Sequence, residues 1–275
     1  MDTKHGTESG PVLTLSEVTI GYGERIIQRG LSFEVRRGSV FAIMGGSGSG
    51  KSTLLRSMIG LLEPKSGTVT FGGENYWSAG ARERAEIARR FGVLFQSAAL
   101  WSALTVGQNV ALPMQMFTCM DESTIRRLVE LKLALVEMDQ AIDLLPSQLS
   151  GGMAKRAGLA RALALDPEVL FLDEPSSGLD PVASSRLDDL ILDLREATDA
   201  TIVLVSHDLL SLFTVADDGV FLDGAAATAI ARGSPAQLRD RCQDPRVRAF
   251  MRREHLQAPQ HGGKERRWTT LDRLP

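Results

Sequence analysis

A short stretch near the start of the chain has the residue types and spacing of a site for a phosphate chain. It reads GGSGSGKST and fits the pattern G-x-x-x-x-G-K-[ST]. Glycine-rich backbone can turn several N–H groups toward one anion, because no side chains stand in the way. We expect the Lys51 ammonium to meet the β- and γ-phosphates of a nucleotide and the Ser52 hydroxyl to bind Mg²⁺. The residues predicted to line this site are Gly45, Gly46, Ser47, Gly48, Ser49, Gly50, Lys51, Ser52 and Thr53.

The elements on either side favour a phosphate site over a chance glycine- and serine-rich turn. The apolar run Ser39–Met44 predicts a strand before the loop, and Thr53–Ile59 predicts a helix after it. That helix would point its positive N-terminal end at the same phosphates. Glycine occupies only 26 of 275 positions, so an accidental match in this context is rare. The sequence therefore predicts a nucleotide-binding chain.

Further polar residues follow other predicted strands. Gln96 and Asp173 come directly after apolar runs, and Glu174 and His207 each follow such a run after one intervening residue. Ligand sites in parallel α/β sheets lie at the carboxyl ends of the strands, so we expect these side chains to meet the phosphate loop at one edge. Taken alone, an acidic pair is as often a solvated strand end, and a lone histidine is more often structural. The buried run VLFL before Asp173 favours the shared site.

Composition and element order define the class of protein. Apolar strands alternate with helices, which predicts an α/β fold with a mainly parallel sheet covered on both faces.

The chain is 43% hydrophobic and 24% charged, with a formal net charge of −3, so no nucleic-acid partner is expected. Cys119 and Cys242 match no metal or redox spacing. No window reaches the roughly 18 apolar residues that span a bilayer, so another chain would have to supply any channel.

Several short motifs, taken together, resemble those of the ATP-binding-cassette ATPases. Leu149–Met153 (LSGGM) is similar to the family signature, and Val169–Glu174 resembles the Walker B strand with its catalytic glutamate. Ser177–Asp180 (SGLD) resembles the D-loop. Further matches, to the Q-loop, the switch histidine and the adenine-stacking aromatic, are Gln96, His207 and Tyr22. The resemblance runs from about residue 12 to residue 238. It implies an ATPase with an antiparallel β subdomain and an α-helical signature subdomain at about 97–165.

One departure from the family pattern indicates a branch. Most relatives have glutamine at the last signature position, whereas this chain has Met153. Met153 is followed by Ala154, Lys155 and Arg156, which gives the pattern LSGGM-x-[KR]-R. Together with Phe95–Val110 and the run ALPM, this pattern resembles the Mla/Mce phospholipid-transport ATPases of the Gram-negative envelope. A cassette importer for a small solute is the alternative. A soluble cassette protein acting on ribosomes or DNA usually carries two cassettes or a long coiled coil, and a kinase has no use for the signature.

The resemblance assigns a role to each motif residue. Glu174 is expected to be the general base, with His207, Lys51 and Gln96 also catalytic. Tyr22 would stack on adenine, and Asp173 and Gln96 would join Ser52 at Mg²⁺. The residues Ser150, Gly151, Gly152 and Asp180 would act on ATP held by a second copy, in a head-to-tail dimer with composite sites.

The resemblance also implies partners and a domain layout. We expect a second copy, a membrane permease subunit, an MCE-domain protein and a STAS-domain protein, at the cytoplasmic face of the inner membrane. The loop carrying Leu100, Trp101 and Leu104 would receive the permease, although an anchor packed inside the protein is the alternative. The predicted layout is a disordered lead at 1–11, the ATPase domain at 12–240, and a partner-binding helix and basic tail at 241–275.

Overall fold

The strands and helices of the protein follow the apolar runs and turn residues of the sequence closely. The computed structural model describes residues 10–253. The strands of this range are β1 (Leu13–Tyr22), β2 (Arg25–Val35), β3 (Val40–Met44), β4 (Ser66–Phe71), β5 (Glu74–Asn75), β6 (Phe91–Leu94), β7 (Val169–Asp173), β8 (Thr201–Val205), β9 (Asp218–Asp223) and β10 (Thr228–Arg232). The helices are α1 (Lys51–Met58), α2 (Ala81–Ala88), α3 (Val106–Phe117), α4 (Glu122–Leu135), α5 (Gly151–Ala162), α6 (Pro181–Thr198), α7 (Leu209–Val215), α8 (Pro235–Arg241) and α9 (Pro245–Arg252).

The central sheet has the strand order β10-β9-β3-β8-β7-β6. All its neighbouring pairs are parallel except the pair of β10 with β9. In register, Leu204 of β8 lies between Ala42 of β3 and Leu172 of β7. These three strands are almost wholly apolar because both faces of the sheet are covered. The predicted α/β fold with a mainly parallel sheet is confirmed.

Different partners cover the two faces of the central sheet. Because side chains alternate along a strand, Val40, Ala42 and Met44 join the core formed with the helices. Phe41 and Ile43 point the other way and pack with β1, β2, β4 and α1. The second sheet, β2-β1-β4-β5, is antiparallel throughout. The expected antiparallel β subdomain is therefore present, and it shares one face of the central sheet with α1.

Helices α3, α4 and α5 pack against one another beyond the end of β6. Buried Asn109 in α3 fixes the loop that precedes this helix. Its side chain accepts a hydrogen bond from the Trp101 amide (2.8 Å) and donates to the main-chain oxygens of Trp101, Leu104 and Thr105. These helices lie within the predicted helical subdomain, although the domain bounds themselves stay predictions.

The elements beside the motifs differ in two places from the sequence-based expectation. The sequence predicts a helix over Met153–Leu165 with Ser150 as its N-cap. Helix α5 begins two residues earlier, at Gly151, and Ser150 caps it by accepting a hydrogen bond from the Met153 amide (3.3 Å). Helix α7 was not predicted. It spans 7 residues, too few to establish a helical period, and it is capped by Asp208 directly after His207.

The two ends of the chain are described only in part. The predicted disordered lead at 1–11 and the basic tail lie largely outside residues 10–253. The pair Asp244-Pro245 predicts a helix start. This start is confirmed, because the Asp244 carboxylate accepts a hydrogen bond from the Arg246 amide (2.8 Å). Val247 and Met251 of α9 are buried in the main core. Within the described range, the helices lack the length and apolar character needed to cross a bilayer.

Candidate nucleotide-binding site

A cavity at the carboxyl edge of the central sheet contains most of the predicted catalytic residues. We call it the nucleotide cavity. Its volume is about 390 Å³, within the range of small-molecule sites. Gln96 follows β6, Glu174 follows β7 and His207 follows β8, so the parallel strands bring these distant residues to one edge. The lining residues are Ile27, Ser47, Gly48, Ser49, Gly50, Lys51, Ser52, Thr53, Gln96, Glu174 and His207.

Two positions of the phosphate loop need glycine, because a side chain at each would clash with a different neighbour. Gly45 has φ +144°, and a Cβ there would lie 2.4 Å from the Leu222 carbonyl oxygen. Gly50 has φ +91°, and a Cβ there would lie 2.6 Å from a methyl of Ile27. Helix α1 starts directly after Gly50 without a side-chain cap. Its first N–H groups are therefore left for an anion, which fits a nucleotide phosphate.

Lys51 is enclosed by its own loop. Its ammonium donates to the main-chain oxygens of Gly45 (2.9 Å) and Gly46 (3.0 Å), and the residue is buried. Burial lowers the pKa of Lys51, and the nearby carboxylates of Glu174 and Asp173 partly oppose this shift. The cation is held at the inner end of the cavity, where phosphate oxygens can replace the carbonyl acceptors.

Ser52 and Asp173 form an oxygen pair suited to a hard cation. The Ser52 hydroxyl donates to an Asp173 carboxylate oxygen (3.1 Å). Burial raises the pKa of Asp173, and the Ser52 hydrogen bond opposes that rise. A hydroxyl and a carboxylate, completed by substrate phosphates, fit the ligand preferences of Mg²⁺. The Gln96 amide donates instead to the Ser177 hydroxyl (3.2 Å), so its part in metal binding stays a prediction.

Glu174 and His207 contact each other directly. The His207 Nδ1 lies 2.8 Å from both carboxylate oxygens of Glu174. Glu174 is 8% exposed and has left-handed backbone, with φ +49°. Its amide donates to the Val205 carbonyl oxygen (2.9 Å), which fastens it to β8. The sequence predicted both residues at the phosphates, and the structure adds a direct contact between them.

Tyr22 does not line the nucleotide cavity. The side chain is 46% exposed at the end of β1, and its hydroxyl accepts a hydrogen bond from Arg56 of α1 (3.2 Å). Ile27 of β2 is the residue of the antiparallel sheet that reaches the cavity. The adenine-stacking role of Tyr22 therefore stays a prediction.

The signature residues lie in a second cavity, which we call the signature cavity. Ser150, Gly151, Gly152 and Asp180 line it together with residues of α5 and α6. Among residues 10–253, the linings of the two cavities have no member in common. The Asp180 carboxylate accepts hydrogen bonds from the amides of Ala183 and Val182 (3.0 Å each), which lower its pKa. The signature segment is thus separated from the phosphate loop of its own chain.

Two buried side chains that support the nucleotide cavity were missed by the sequence analysis. Gln28 of β2 donates to the main-chain oxygens of Ser49 (2.7 Å) and Asp223 (3.1 Å), so it holds the phosphate loop against the end of β9. Lys155 of α5 donates to the main-chain oxygens of Gln96 and Glu174. A polar residue within an apolar strand could have indicated Gln28. Lys155 belongs to the pattern LSGGM-x-[KR]-R that indicates the branch, but nothing in that pattern predicted its contacts with the nucleotide cavity.

A glycine-rich loop between a parallel strand and a helix, with a serine–aspartate pair beside it, defines a phosphate-loop NTPase. The model of one family, described as "ABC transporter", matches residues 28–177. The chain belongs to this family and is one of its ATPases, an enzyme that binds and hydrolyses ATP.

Named relatives are similar over most of the chain. The intermembrane phospholipid transport system ATP-binding protein MlaF of Haemophilus influenzae is 40% identical over 243 residues, which cover 88% of this chain and 91% of that protein. MlaF of Escherichia coli K12 is 40% identical over 87% of this chain and 88% of its own length. The probable ribonucleotide transport ATP-binding protein mkl of Mycobacterium tuberculosis is 41% identical over 78% of this chain, but only 59% of mkl is matched.

Solved structures of cassettes have the same fold. The structure of cbiO1 from Clostridium perfringens, part of the ABC transporter complex cbiONQ, has a TM-score of 0.76 at 28% identity, covering 83% of this chain and 90% of cbiO1. The ATP-binding cassette MJ0796, in a dimeric post-hydrolysis state with ADP and Pi, has a TM-score of 0.72 at 28% identity, covering 80% of this chain and 97% of its own. Cassettes of this family form dimers and pair with a membrane permease.

Proposed function

We propose that this ATPase powers phospholipid transport of the Mla/Mce type between the inner and outer membranes. The observation that carries the proposal is the similarity to MlaF, which extends over about nine-tenths of both chains. The signature LSGGM, with methionine at its last position, supports the same branch. In this role the ATPase would lie at the cytoplasmic face of the inner membrane, bound to a permease subunit and associated with MCE-domain and STAS-domain proteins.

Two copies of the chain would form the working unit. The signature cavity and the nucleotide cavity are lined by separate residues, so Ser150–Gly152 needs a nucleotide from elsewhere. A second copy, placed head to tail, would supply it, and the same contact would occur twice by two-fold symmetry. Asp180 would reach the same interface. The dimeric cassette MJ0796 with ADP and Pi supports this arrangement.

Hydrolysis would use the side chains of the nucleotide cavity. The loop amides and Lys51 bind the phosphates, and Glu174 takes a proton from the water that attacks the γ-phosphorus. The His207 imidazole, already in contact with Glu174, keeps the carboxylate turned toward the cavity. Ser52 and Asp173 would hold a Mg²⁺ ion, which supplies charge neutralisation at the phosphate oxygens. The products are ADP and inorganic phosphate, and their mutual repulsion opens the dimer.

A groove with α2 and β6 on one side and α3 and α5 on the other is the proposed contact for the permease. Its volume is about 570 Å³, and its lining includes Phe95, Trp101, Phe117 and Arg161. The Trp101 side chain is 62% exposed although its backbone is fixed by buried Asn109. A packed anchor would be buried, so this exposure favours the interface over the packing alternative for Trp101. Leu100, in contrast, is partly buried against the main core.

A small-solute importer is the second candidate, since the mkl relatives are named for probable ribonucleotide transport. Co-purification of the membrane complex, with identification of its subunits and bound lipid, separates the two. In vesicles carrying that complex, phospholipid transport predicts ATP-dependent movement of labelled phospholipid and no ribonucleotide uptake. Ribonucleotide uptake without lipid movement would contradict the proposal and favour the second candidate. The partner-binding role predicted for the tail is tested by deleting residues 254–275, which lie outside the described residues, and measuring the stability of the complex.

A further inference from the structure

Lys155 connects two parts of the molecule that belong to different cavities. It lies on α5, the helix that begins directly after Ser150. The residue is 6% exposed, and its ammonium donates to the main-chain oxygens of Gln96 and Glu174, the latter at 3.1 Å. Neither oxygen belongs to the helix. The start of α5 therefore lines the signature cavity. One turn further on, Lys155 of the same helix is hydrogen-bonded to the main chain of two residues that line the nucleotide cavity.

The same helix makes a second contact with the segment after β6. Arg161 donates to the main-chain oxygens of Ala99 (2.6 Å) and Ala98 (2.8 Å). Ala98 and Ala99 both have left-handed backbone, with φ +59° and +51°. This conformation is unfavourable for a residue with a Cβ, so outside contacts are needed to maintain it. Two cations of α5 thus fasten the segment 96–99 to the signature helix.

Glu174 also has left-handed backbone, and Lys155 contacts its main chain. Its φ is +49°, its amide donates to Val205, and its carbonyl oxygen accepts from Lys155. The peptide groups on both sides of the Glu174 Cα are therefore anchored, one to β8 and the other to α5. Because these two anchors fix the backbone, they also fix the direction in which the carboxylate leaves it.

We propose that Lys155 is a positioning residue that ties the signature helix of each subunit to the general base of the same subunit. When Ser150–Gly152 engages the nucleotide of the partner, α5 is held in place, and Lys155 transmits this to the main chain of Glu174. Each site would then become competent only when the other is closed. The inference rests on the proposed composite sites and on Glu174 as the general base.

Burial of the ammonium has a cost that a packing role alone does not explain. Burial lowers the pKa of Lys155, and the carboxylates of Asp173 and Glu174 partly oppose the shift. A methionine of similar length could fill the same space without desolvating a charge. What methionine cannot do is donate hydrogen bonds to two main-chain oxygens at once. The inference therefore assigns the ammonium to positioning.

Lys155→Met removes the donor while keeping the bulk, and Lys132→Met is its matched control. Lys132 of α4 is also a buried lysine, but it pairs with Asp166 away from both cavities. For Lys155→Met we expect kcat to fall about tenfold, the loss of a charge-assisted hydrogen bond, with the Kd of monomers for ATP within about twofold. Lys132→Met is expected to lower the melting temperature and leave kcat within about twofold. A kcat for Lys155→Met no lower than that of the control would overturn the inference.

Mixed dimers, isolated through two different affinity tags, test whether Lys155 acts on Glu174 of its own copy or on Glu174 of the other copy. With Lys155→Met and Glu174→Gln in the same copy, one site carries both defects, and about half of wild-type turnover should remain. With the two changes in different copies, both sites are defective, and turnover should fall about tenfold below the first arrangement. Equal turnover in the two arrangements would overturn the inference. If Lys155→Met does not fold, Lys155→Gln is used in the same dimers, with the same expected order.

These outcomes separate the inference from the proposed function. If Glu174→Gln alone retains normal turnover, Glu174 is not the base and the proposed mechanism fails. If Glu174→Gln abolishes turnover but Lys155→Met behaves like Lys132→Met, only the role of Lys155 fails. The same ATPase assay, applied to each variant, gives both results.

Discussion

The nucleotide cavity and the signature cavity contain similar kinds of group, but the key groups are buried in the first cavity and exposed in the second. In the nucleotide cavity, Lys51 and Glu174 are buried and bonded to their own chain. In the signature cavity, Ser150, Gly151 and Asp180 are exposed, and the N-terminus of α5 faces solvent. Both cavities present a helix N-terminus to an anion, but only the first also supplies a lysine, a base and a pair of cation ligands.

This difference indicates a division of labour within one chain. A buried, self-bonded set of groups can bind and cleave a nucleotide, because its charges are strong in a desolvated site. An exposed helix N-terminus with a serine cap can only add donors to a phosphate that comes from outside. The chain therefore carries one complete half-site and one complementary half-site, which is the design expected of a dimer with two equivalent composite sites.

The largest effect is expected from removing the base of the nucleotide cavity. Glu174→Gln keeps the shape and the buried environment but cannot take a proton, so turnover should fall about 10³-fold, in the range for general-base catalysis. ATP binding should persist, and the closed dimer should accumulate. ATPase rate and size-exclusion chromatography with ATP measure these effects, with exposed Glu130→Gln as control. Normal turnover would remove Glu174 as base.

A large loss of turnover without a loss of binding is expected in the signature cavity. Ser150→Glu places a negative charge where a phosphate must approach, so turnover should fall about 100-fold through loss of several kcal/mol of phosphate contacts. The Kd of isolated monomers for ATP should stay unchanged, because this cavity is separate from the phosphate loop. Ser123→Glu, in the first turn of α4, is the control. ATPase activity at the wild-type level in Ser150→Glu would contradict the division of labour.

A moderate effect confined to assembly is expected at the groove proposed to contact the permease. Trp101→Ala removes a large exposed side chain, so affinity for the permease should fall about tenfold, as for an interfacial aromatic anchor. Basal ATPase should change little, since neither cavity contains Trp101. Pull-down by the permease and ATPase of the free subunit measure the two. Exposed Leu131 of α4 provides the control, as Leu131→Ala. Equal losses of both properties would favour a packing role.

The smallest effect, a change in the pH dependence of stability, is expected at a buried contact between the helices that start beside the two cavities. Helix α6 is capped by Asp180 of the signature cavity, and α7 is capped by Asp208, directly after His207. Ser211 of α7 donates to Asp188 of α6 (2.8 Å). Burial raises the pKa of Asp188 to about 6, with smaller contributions from Asp208 and Asp189. A raised folded-state pKa means that the folded protein holds this proton more tightly than the unfolded chain.

Stability should therefore rise as the pH falls through about 6 toward the unfolded value of 3.8. Asp188→Asn cannot take up this proton, so the part of the stability that depends on it should vanish. The difference in melting temperature between pH 8 and pH 5 should then shrink by a few degrees. Asp193→Asn, an exposed change on the same helix, should keep the wild-type difference. An unchanged pH dependence in Asp188→Asn would contradict the assignment.

Local patterns explain why so much of the nucleotide cavity could be predicted from the sequence. The phosphate loop is a contiguous motif, and Gln96, Glu174 and His207 each lie just after the end of an apolar run. A parallel sheet then brings strand ends together without further information. Ser150 and the phosphate loop line different cavities, and the role of Ser150 at the nucleotide of a second copy stays a prediction.

The features that could not be predicted are contacts between residues far apart in the chain. Gln28 reaches Ser49 and Asp223, and Lys155 reaches Gln96 and Glu174, through side chains whose partners are main-chain oxygens. Any residue can provide such an oxygen, so the partner leaves no trace in the sequence. The short helix α7 was missed because its capping residue also ends a motif.

The composite site is tested most directly by placing Ser150→Glu and Glu174→Gln in mixed dimers. If each signature serves the nucleotide of the other copy, changes in different copies damage the same site, and the other site keeps all of its own residues. That second site loses only the coupling through Lys155, so about one twentieth of wild-type turnover should remain. The two changes in one copy, beside a wild-type partner, should then damage both sites and nearly abolish turnover. The reverse order, with more turnover when both changes share one copy, would mean that each chain hydrolyses ATP with its own signature and would contradict the account.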